Sequence, residues 1–471
     1  MRVEEALDIT IEQGEGFSEE EIYAQYTEDV LWTGTGDKRK PNETNFARLF
    51  RDINMLKFIN GTFYTKDGMV SKEYISHEIW ASLADAGMSS GTKRAVENTL
   101  AACAYCATVP SFTVDENIVP FRNGNYYVNE RVFKHEEITT VPYRLSVDFR
   151  AIVPEIPYFK KWLSDLFEPD DILTLQEYLG YCLVPTTRVQ KALFLVGEGG
   201  AGKSGIGVIL QSILGNAVIN VPNTKEFLEN RFMLAELENK LVLYDDDLDS
   251  SALSSTGLYK KLITNTLSVT ADKKYGPTYK FSPQVKLIAC ANEMLTSAFD
   301  KTGGFYRRLL PLIVKPIRKD FEPDLSFYDH LKAEAEGIAL WAVAGLNRLV
   351  YLDWKIHESD RTKQFMLAKQ NEENPLPLFL ESNFYFDPAI QDGVHTKKII
   401  EIYREWCTRN AFTPWKDRAV QKWLSSNAEK YGITFSEHVV VDGQRARGYR
   451  GLRVKESPNS SPQKGIRIHL I

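Results

Sequence analysis

The stretch KALFLVGEGGAGKS, residues 191–204, determines how the rest of the chain is interpreted. Its apolar run, residues 193–196, predicts a buried strand, and a glycine-rich turn then leads into a helix that we expect to begin near Lys203. The turn fits the spacing G-x-x-x-x-G-K-[ST], with strand, loop and helix in the order that a phosphate-binding loop requires. The predicted loop residues are Gly197, Gly199, Gly200, Ala201, Gly202, Lys203 and Ser204.

The loop residues suit a triphosphate. Glycines let the backbone curl so that successive N–H groups face inward, and such a row of donors at a helix start attracts phosphate. Lys203 offers a positive charge for the β- and γ-phosphates, and Ser204 offers a hydroxyl ligand for Mg²⁺. The glycines also fit G-x-G-x-x-G, but a dinucleotide site needs an acidic residue about 20 positions further on. That region, AVINVP at residues 217–222, has none.

A second apolar strand, residues 241–244, is predicted to end in three consecutive carboxylates. Carboxylates at the carboxyl end of a neighbouring strand lie beside the phosphate loop in an α/β sheet. We assign Asp245 to the Mg²⁺ shell and Asp246 to the water that attacks the γ-phosphate, with Asp247 as an alternative if the register shifts by one. A two-metal polymerase or primase site is the rival interpretation, and it would need a third carboxylate elsewhere.

Two further elements are candidates for catalysis. The apolar strand KLIACA, residues 286–291, ends at Asn292, which could orient the attacking water. Arg307 and Arg308 follow a glycine pair and precede an apolar strand, where adjacent arginines are costly unless they pair with anions. This pattern predicts an arginine finger that reaches the nucleotide of a neighbouring subunit.

Between the carboxylates and Asn292, residues 267–283 predict a strand, a turn and a second strand. The turn carries Lys273, Lys274 and Tyr275. Two lysines can hold a phosphate backbone, and an aromatic ring can press on a base or a sugar. We therefore expect this hairpin to contact single-stranded DNA.

Composition and charge describe an ordinary globular chain with an uneven charge distribution. The sequence is 43% hydrophobic and 25% charged, with a net charge of −6. Residues 391–471 hold 15 Lys or Arg and 8 Asp or Glu, a net charge of +7, so the preceding residues carry −13. No apolar run reaches the length of a membrane span, and five cysteines are too few for a disulfide scaffold. We expect a cytoplasmic protein, with no membrane partner, whose basic end binds a polyanion.

The basic end has the components of a winged helix. Two amphipathic segments, IIEIYREWCTRN and RAVQKWLSSNAEKY, precede a predicted hairpin that carries Arg445, Arg447 and Arg450. A helix in the major groove with a basic wing on the backbone would bind duplex DNA.

The predicted domain organisation follows from these parts. It comprises an acidic segment (1–45), a mixed, mainly helical domain (46–157), a helical collar (158–186), an α/β ATPase domain (187–357), a linker (358–377) and a winged-helix domain with a flexible tail (378–471).

The order of these motifs resembles a superfamily 3 helicase of the AAA+ class, and most of all the phage and plasmid primase-helicase family. The loop GEGGAGKS, the strand LVLYDDD, the basic hairpin and the strand KLIACAN follow in that family's order. The paired arginines match Arg307 and Arg308, with Arg308 favoured as the finger. The resemblance implies ATP and Mg²⁺ as cofactors, a homo-hexameric ring, and 3′-to-5′ movement on single-stranded DNA. It also implies a replication origin and possible host replication proteins as partners.

Three departures from the family pattern narrow the hypothesis. Ala201 stands where the family usually has Asn, and Asp245–Asp246 replaces an acid–Glu pair. The N-terminal residues show no convincing metal-binding acid pair, so we expect no active primase domain among them. The sequence therefore indicates a replicative DNA helicase and replication initiator of a phage, plasmid or genomic island. Two alternatives stay open: an origin-binding ATPase switch without unwinding, and a primase-helicase with cryptic priming.

Overall fold

The computed structural model describes residues 10–13, 19–34, 39–65, 68–85, 88, 92–110, 112, 115–135, 142–248, 257–264, 268–272, 278–294, 303–317, 324–390 and 393–455. They form a mixed α/β protein that divides into two compact units, Met1–Thr362 and Lys363–Ile471. The division falls within the predicted linker, residues 358–377. Most of that linker is an α-helix, Asp360–Glu373.

The N-terminal region alternates short strands with helices. Its elements are β1 (Thr10–Gln13), α1 (Glu19–Gln25), α2 (Glu28–Leu31), β2 (Trp32–Thr33), β3 (Lys40–Pro41), α3 (Glu43–Ile53), β4 (Lys57–Ile59), β5 (Thr62–Thr65), β6 (Gly68–Val70), α4 (Lys72–Asp85), α5 (Thr92–Cys106), β7 (Ile118–Phe121), β8 (Gly124–Tyr127) and β9 (Val132–His135). The region therefore combines helices with short strands, and between residues 46 and 157 the helices are the longer elements. The strands pair through short hairpins: Asn60 and Gly61 both have positive φ, as the two-residue turn between β4 and β5 requires.

A second group of elements forms the central sheet and the helices around it. They are α6 (Pro157–Leu166), α7 (Pro169–Tyr181), β10 (Ala192–Val196), α8 (Gly205–Leu214), β11 (Val218–Val221), α9 (Thr224–Glu229), α10 (Arg231–Leu234), β12 (Val242–Asp245), α11 (Gly257–Thr264), β13 (Val269–Asp272), β14 (Thr278–Phe281), β15 (Lys286–Ala291), α12 (Gly303–Tyr306), β16 (Leu309–Ile313), α13 (Phe327–Ala333) and α14 (Ala335–Tyr351).

The central sheet has five parallel strands in the order β11-β12-β15-β10-β16. All five residues of β10 are buried, as expected for a parallel strand that is covered on both faces. The register pairs Asp245 with Ala289 and Val196 with Ala291. Because the strands run parallel, the segments that follow β10, β12 and β15 all leave the same edge of the sheet.

The predicted helical collar contains α6 and α7, and α7 packs closely against α14. Glycines permit this close approach, since a Cβ on Gly180 would lie 2.4 Å from the carbonyl oxygen of Ala342, and one on Gly345 would lie 2.2 Å from that of Gln176. A buried ion pair joins the two helices, with Arg348 Nε 2.7 Å from Glu177 Oε1.

The second unit has a separate core. Its elements are α15 (Asp360–Glu373, which begins in the first unit), α16 (Leu376–Asn383), β17 (Phe384–Phe386), β18 (Gly393–His395), α17 (Thr396–Arg409), α18 (Asp417–Asn427), β19 (Thr434–Val441), β20 (Gln444–Arg450) and β21 (Leu452–Val454). The two predicted helices and the basic hairpin are present as α17, α18 and β19–β20. Val420 and Leu424 of α18 and Tyr403 of α17 share the buried core of this unit.

Candidate functional site

The glycine loop leaves the carboxyl end of β10, at the edge where β12 and β15 also end. The amide of Gly197 donates to the carbonyl of Ala291 at 3.1 Å, which fixes the start of the loop against β15. Gly200 and Gly202 have φ of +80° and +87°, a backbone conformation that favours glycine. The motif therefore forms a curled loop. Residues with side chains at positions 200 and 202 would adopt this backbone conformation only with strain.

Lys203 lies across this loop and is mostly buried. Its ammonium donates to the carbonyl oxygens of Gly197 at 2.6 Å and Glu198 at 2.7 Å. These bonds hold a positive charge against the inner side of the loop backbone. The position suits a charge that neutralises a phosphate held by the loop amides.

Aromatic side chains cover the junction between the loop and α8. A Cβ on Gly202 would lie 3.3 Å from Trp162 Nε1, and one on Gly205 would lie 2.8 Å from the Trp162 ring. Phe327 packs against Trp162, with ring centroids 5.7 Å apart. The partly buried Ala201 also packs against the main core. Sequence reasoning did not identify Gly205 or Trp162, because only the packed structure brings α6 to the loop.

The three carboxylates after β12 have different surroundings. Asp245 is fully buried, and its Oδ2 accepts from the amide of Thr224 at 2.8 Å and from the Thr224 hydroxyl at 2.5 Å. Its Oδ1 accepts from the amide of Asp247 at 3.2 Å. Asp246 is exposed, and its Oδ2 accepts from the hydroxyl of Ser204 at 3.0 Å. The structure thus brings Asp246, and not Asp245, to the loop serine, while Asp247 is exposed beside it.

Tyr244 directly precedes these carboxylates on β12, and its side chain contacts Asp246, the carboxylate beside the loop. Its hydroxyl donates to Asp246 Oδ1 at 2.8 Å and lies 3.2 Å from Cys290 Sγ. Burial raises the pKa of the Tyr244 hydroxyl far above its usual value, and it raises the pKa of the Cys290 thiol to about 12. Both groups therefore stay protonated at neutral pH. Nothing in the sequence indicated that this tyrosine, inside an apolar strand, would contact Asp246.

Asn292 and the two arginines lie at opposite ends of the sheet's strands: Asn292 at the carboxyl ends, and the arginines at the amino ends. Asn292 is exposed and directly follows β15, the strand between β10 and β12. Arg307 and Arg308 precede β16, whose first residue pairs with Ala192 at the start of β10. The carbonyl of Arg307 accepts from Lys191 Nζ at 2.8 Å. The five residue steps of β10 separate the arginines from the loop by about 17 Å.

The two arginines also differ in exposure. Arg307 is exposed, whereas Arg308 is partly buried and its guanidinium donates to the carbonyl of Gly304. A group that must reach another molecule needs a side chain that can leave its own subunit. The geometry favours Arg307 for such a task, although the family comparison made with the sequence favoured Arg308.

The hairpin predicted between the carboxylates and Asn292 is present as β13 and β14, but Lys273, Lys274 and Tyr275 lie outside the described residues. Its second strand is linked to the N-terminal region through Glu238. Tyr279 Oη donates to Glu238 Oε2, and Asn60 Nδ2 donates to Glu238 Oε1, both at 3.0 Å.

The basic strand of the second unit exposes its arginines. Arg445, Arg447 and Arg450 on β20 are exposed, whereas Gly448 and Tyr449 between them are buried. Arg447 forms an exposed ion pair with Glu437 on β19 at 3.4 Å, and Arg450 donates to the carbonyl of His438 at 3.2 Å. The strand therefore presents positive charge to solvent, of the kind that contacts phosphates.

Among the helices of the described residues, none is both long and apolar enough to cross a membrane.

The fold and site define a mixed α/β protein in which a glycine loop, a lysine and a strand-end carboxylate meet at one edge of a parallel sheet. A family model described as a family of unknown function, DUF5906, matches residues 195–308, the part of the chain that runs from the glycine loop to the arginine pair. No curated protein sequence matches the chain.

A solved structure shares the fold. The apo structure of the NrS-1 C-terminal region (305–718) has a TM-score of 0.51 at 13% identity, and the match covers 88% of this chain and all of that one. An A-form apo structure of the same region gives a TM-score of 0.49 with the same identity and coverage.

Proposed function

We propose that this chain is an ATP-driven DNA helicase of superfamily 3 that initiates replication of a phage, plasmid or genomic island. The observation that carries the proposal is the bond between Ser204 and Asp246 beside the glycine loop and Lys203. It joins the two halves of a nucleotide-hydrolysing site that the sequence supplies 42 residues apart. The chain shares its fold with the NrS-1 C-terminal region, and the replication role is proposed from the family resemblance of the motifs.

The residues present fit ATP and Mg²⁺. The loop is curled, with positive φ at Gly200 and Gly202, and Lys203 adds a buried positive charge. A glycine loop of this kind before a helix can offer its backbone amides to phosphate. The Ser204 hydroxyl and the Asp246 carboxylate offer the oxygen ligands that Mg²⁺ prefers. When bound, ATP supplies the phosphoanhydride bond and Mg²⁺ the charge that neutralises its phosphates. The loop and Lys203 would bind the phosphates, while Ser204 and Asp246 would hold the metal.

This proposal exchanges roles among the carboxylates. Asp245 is fully buried and engaged by Thr224, so we assign it to holding the strand end against α9. Asp246 takes the metal position, and the exposed Asp247 takes the water-polarising position, as in the alternative register considered from the sequence. Asn292 would orient the same water from the neighbouring strand.

Arg307 would act in a neighbouring subunit. It is exposed at the amino edge of the sheet, about 17 Å along β10 from the loop, so it cannot serve the loop of its own chain. A ring in which each subunit completes the next site satisfies this geometry, and the family resemblance suggests a homo-hexamer.

DNA would be bound at two places. The β13–β14 hairpin would contact single-stranded DNA through Lys273, Lys274 and Tyr275, and 3′-to-5′ movement is proposed from the family resemblance. The second unit, as a winged helix, would bind origin duplex through α18 and the exposed arginines of β20. Host replication proteins are possible further partners.

A strand-displacement assay on forked DNA tests the proposal. Wild-type protein should separate the strands with ATP and Mg²⁺ and fail with a non-hydrolysable analogue. Lys203→Ala should lose both ATP hydrolysis and displacement, because it removes the charge that lies against the loop. ATP hydrolysis without displacement would instead favour the origin-binding ATPase switch, and hydrolysis by Lys203→Ala near the wild-type rate would refute the site.

A further inference from the structure

The hydroxyl of Tyr244 is directed at the strand-end carboxylate from inside the protein. Tyr244 is only 4% exposed, and its hydroxyl donates to Asp246 Oδ1 at 2.8 Å. The other oxygen of the same carboxylate, Oδ2, accepts from Ser204 at 3.0 Å. An exposed aspartate at a strand end would otherwise turn freely about its side-chain bonds. Here the two hydroxyls, one from the core and one from the loop, fix its orientation.

The Tyr244 ring itself has little freedom. A Cβ on Gly207, in the first turns of α8, would lie 2.4 Å from Tyr244 Cε1 and 2.6 Å from Cζ, so the ring lies directly against the helix backbone. On the neighbouring strand β15, Cys290 Sγ lies 3.2 Å from the hydroxyl. The helix and the strand therefore aim the hydroxyl at Asp246. Because the ring lies so close, a side chain at residue 207 would collide with it, which explains the glycine at this position of α8.

We propose that Tyr244 is a positioning residue that holds the Asp246 carboxylate in place for a divalent cation at Ser204. This inference rests on the proposed nucleotide site. Hydrogen bonds to a ligating carboxylate orient it, and losing such a bond typically lowers metal affinity about 10–100-fold. Tyr244 does not touch the metal or the nucleotide; it acts only through Asp246, with Gly207 providing the space for its ring.

The test compares metal binding in full-length variants, using a fluorescent non-hydrolysable ATP analogue and titrated Mg²⁺. Tyr244→Phe keeps the ring and loses the hydroxyl, so the Mg²⁺ midpoint should rise about 10-fold or more. Binding of the analogue without metal should match wild type, because the loop and Lys203 are unchanged. Tyr126→Phe is the matched control: it also removes a buried hydroxyl, which donates to Asn347 Oδ1 at 2.8 Å away from the site, and its midpoint should not move.

Gly207→Ala provides a second variant that retains the Tyr244 hydroxyl. The added methyl displaces the ring, so the Mg²⁺ midpoint should rise in the same direction as in Tyr244→Phe. Unchanged midpoints in both variants would overturn the positioning role, even if wild type shows full metal-dependent binding. If wild type itself shows no Mg²⁺-dependent binding of the analogue, the proposed function fails instead. The two failures are therefore distinguishable.

Discussion

Replacing Asp245 should damage the fold, whereas replacing Asp246 should damage the site. Asp245 and Thr224 are both fully buried, and the carboxylate accepts from the amide and the hydroxyl of Thr224. Asp245→Ala leaves these two donors buried without an acceptor, at about 1–3 kcal/mol each. We therefore expect a total loss of about 3–5 kcal/mol in the free energy of unfolding, as for other broken buried networks.

Urea unfolding measures this loss, and Asp246→Ala is the matched control. Asp246 is exposed, and only one buried donor, the Tyr244 hydroxyl, loses its acceptor in this variant, so its replacement should cost less than Asp245→Ala, about 1–2 kcal/mol. Metal-dependent nucleotide binding should show the reverse order. Asp246→Asn should raise the Mg²⁺ midpoint strongly, whereas Asp245→Asn, which retains one acceptor oxygen for Thr224, should raise it little.

Two results would refute this reasoning. The first is a loss of stability in Asp246→Ala as large as in Asp245→Ala. The second is a Mg²⁺ midpoint that rises as far in Asp245→Asn as in Asp246→Asn, which would return the metal role to Asp245.

Three further predictions concern other parts of the chain. Arg307→Ala should retain ATP binding and lose hydrolysis. Mixing it with Lys203→Ala protein should restore activity, because some interfaces then join an intact loop to an intact arginine. No recovery in mixed assemblies would contradict a finger in trans. Burial lowers the pKa of Lys286 from 10.5 to about 7, so the unfolded chain binds more protons between these values and stability should rise with pH across that window. Lys286→Met should flatten this rise in urea titrations at several pH values, and an unchanged slope would refute the assignment. Replacing Arg445 and Arg447 with Ala should weaken binding to all duplexes alike and reduce the salt slope by about two units, and a sequence-dependent loss would contradict contact with the phosphate backbone.

The sequence predicted the site's framework because that framework is local. The apolar run before Gly197 and the apolar run before Asp245 specify buried strands by composition alone. Parallel strands have their carboxyl ends at the same side of a sheet, so the loop after β10 and the carboxylates after β12 lie on that side. The contact between Ser204 and Asp246 confirms that these two segments lie together.

The sequence could not decide which carboxylate lies against the loop serine. Three consecutive aspartates are equivalent in composition, and the choice depends on which one points into the protein. Thr224, 21 residues earlier, makes that choice by donating twice to Asp245. A contact between side chains distant in sequence leaves no periodic pattern, and the same applies to Tyr244 above Gly207.

Most of the N-terminal strands were missed for a different reason. Elements of three or four residues, such as β4, β5 and β6, are too short to show an alternating pattern. The Asn60–Gly61 turn was their clearest local signal, since both residues adopt positive φ there.

The length of β10 separates Arg307 from the nucleotide site of its own chain, and this separation bears on how subunits would assemble. The loop, Asp246 and Asn292 lie at the carboxyl edge of the sheet, whereas Arg307 lies at the amino edge beside Lys191. The two edges are separated by β10, which spans about 17 Å and is buried throughout, so no side-chain movement can bring them together in one chain. If Arg307 acts on a nucleotide, it must act on that of another copy. A subunit that exposes Arg307 at one end of the strands and Asp246 at the other can contact a neighbour at each, and repeating this head-to-tail contact gives a ring when the rotation closes. Hydrolysis would then depend on assembly, because an isolated subunit would hold the nucleotide without the arginine.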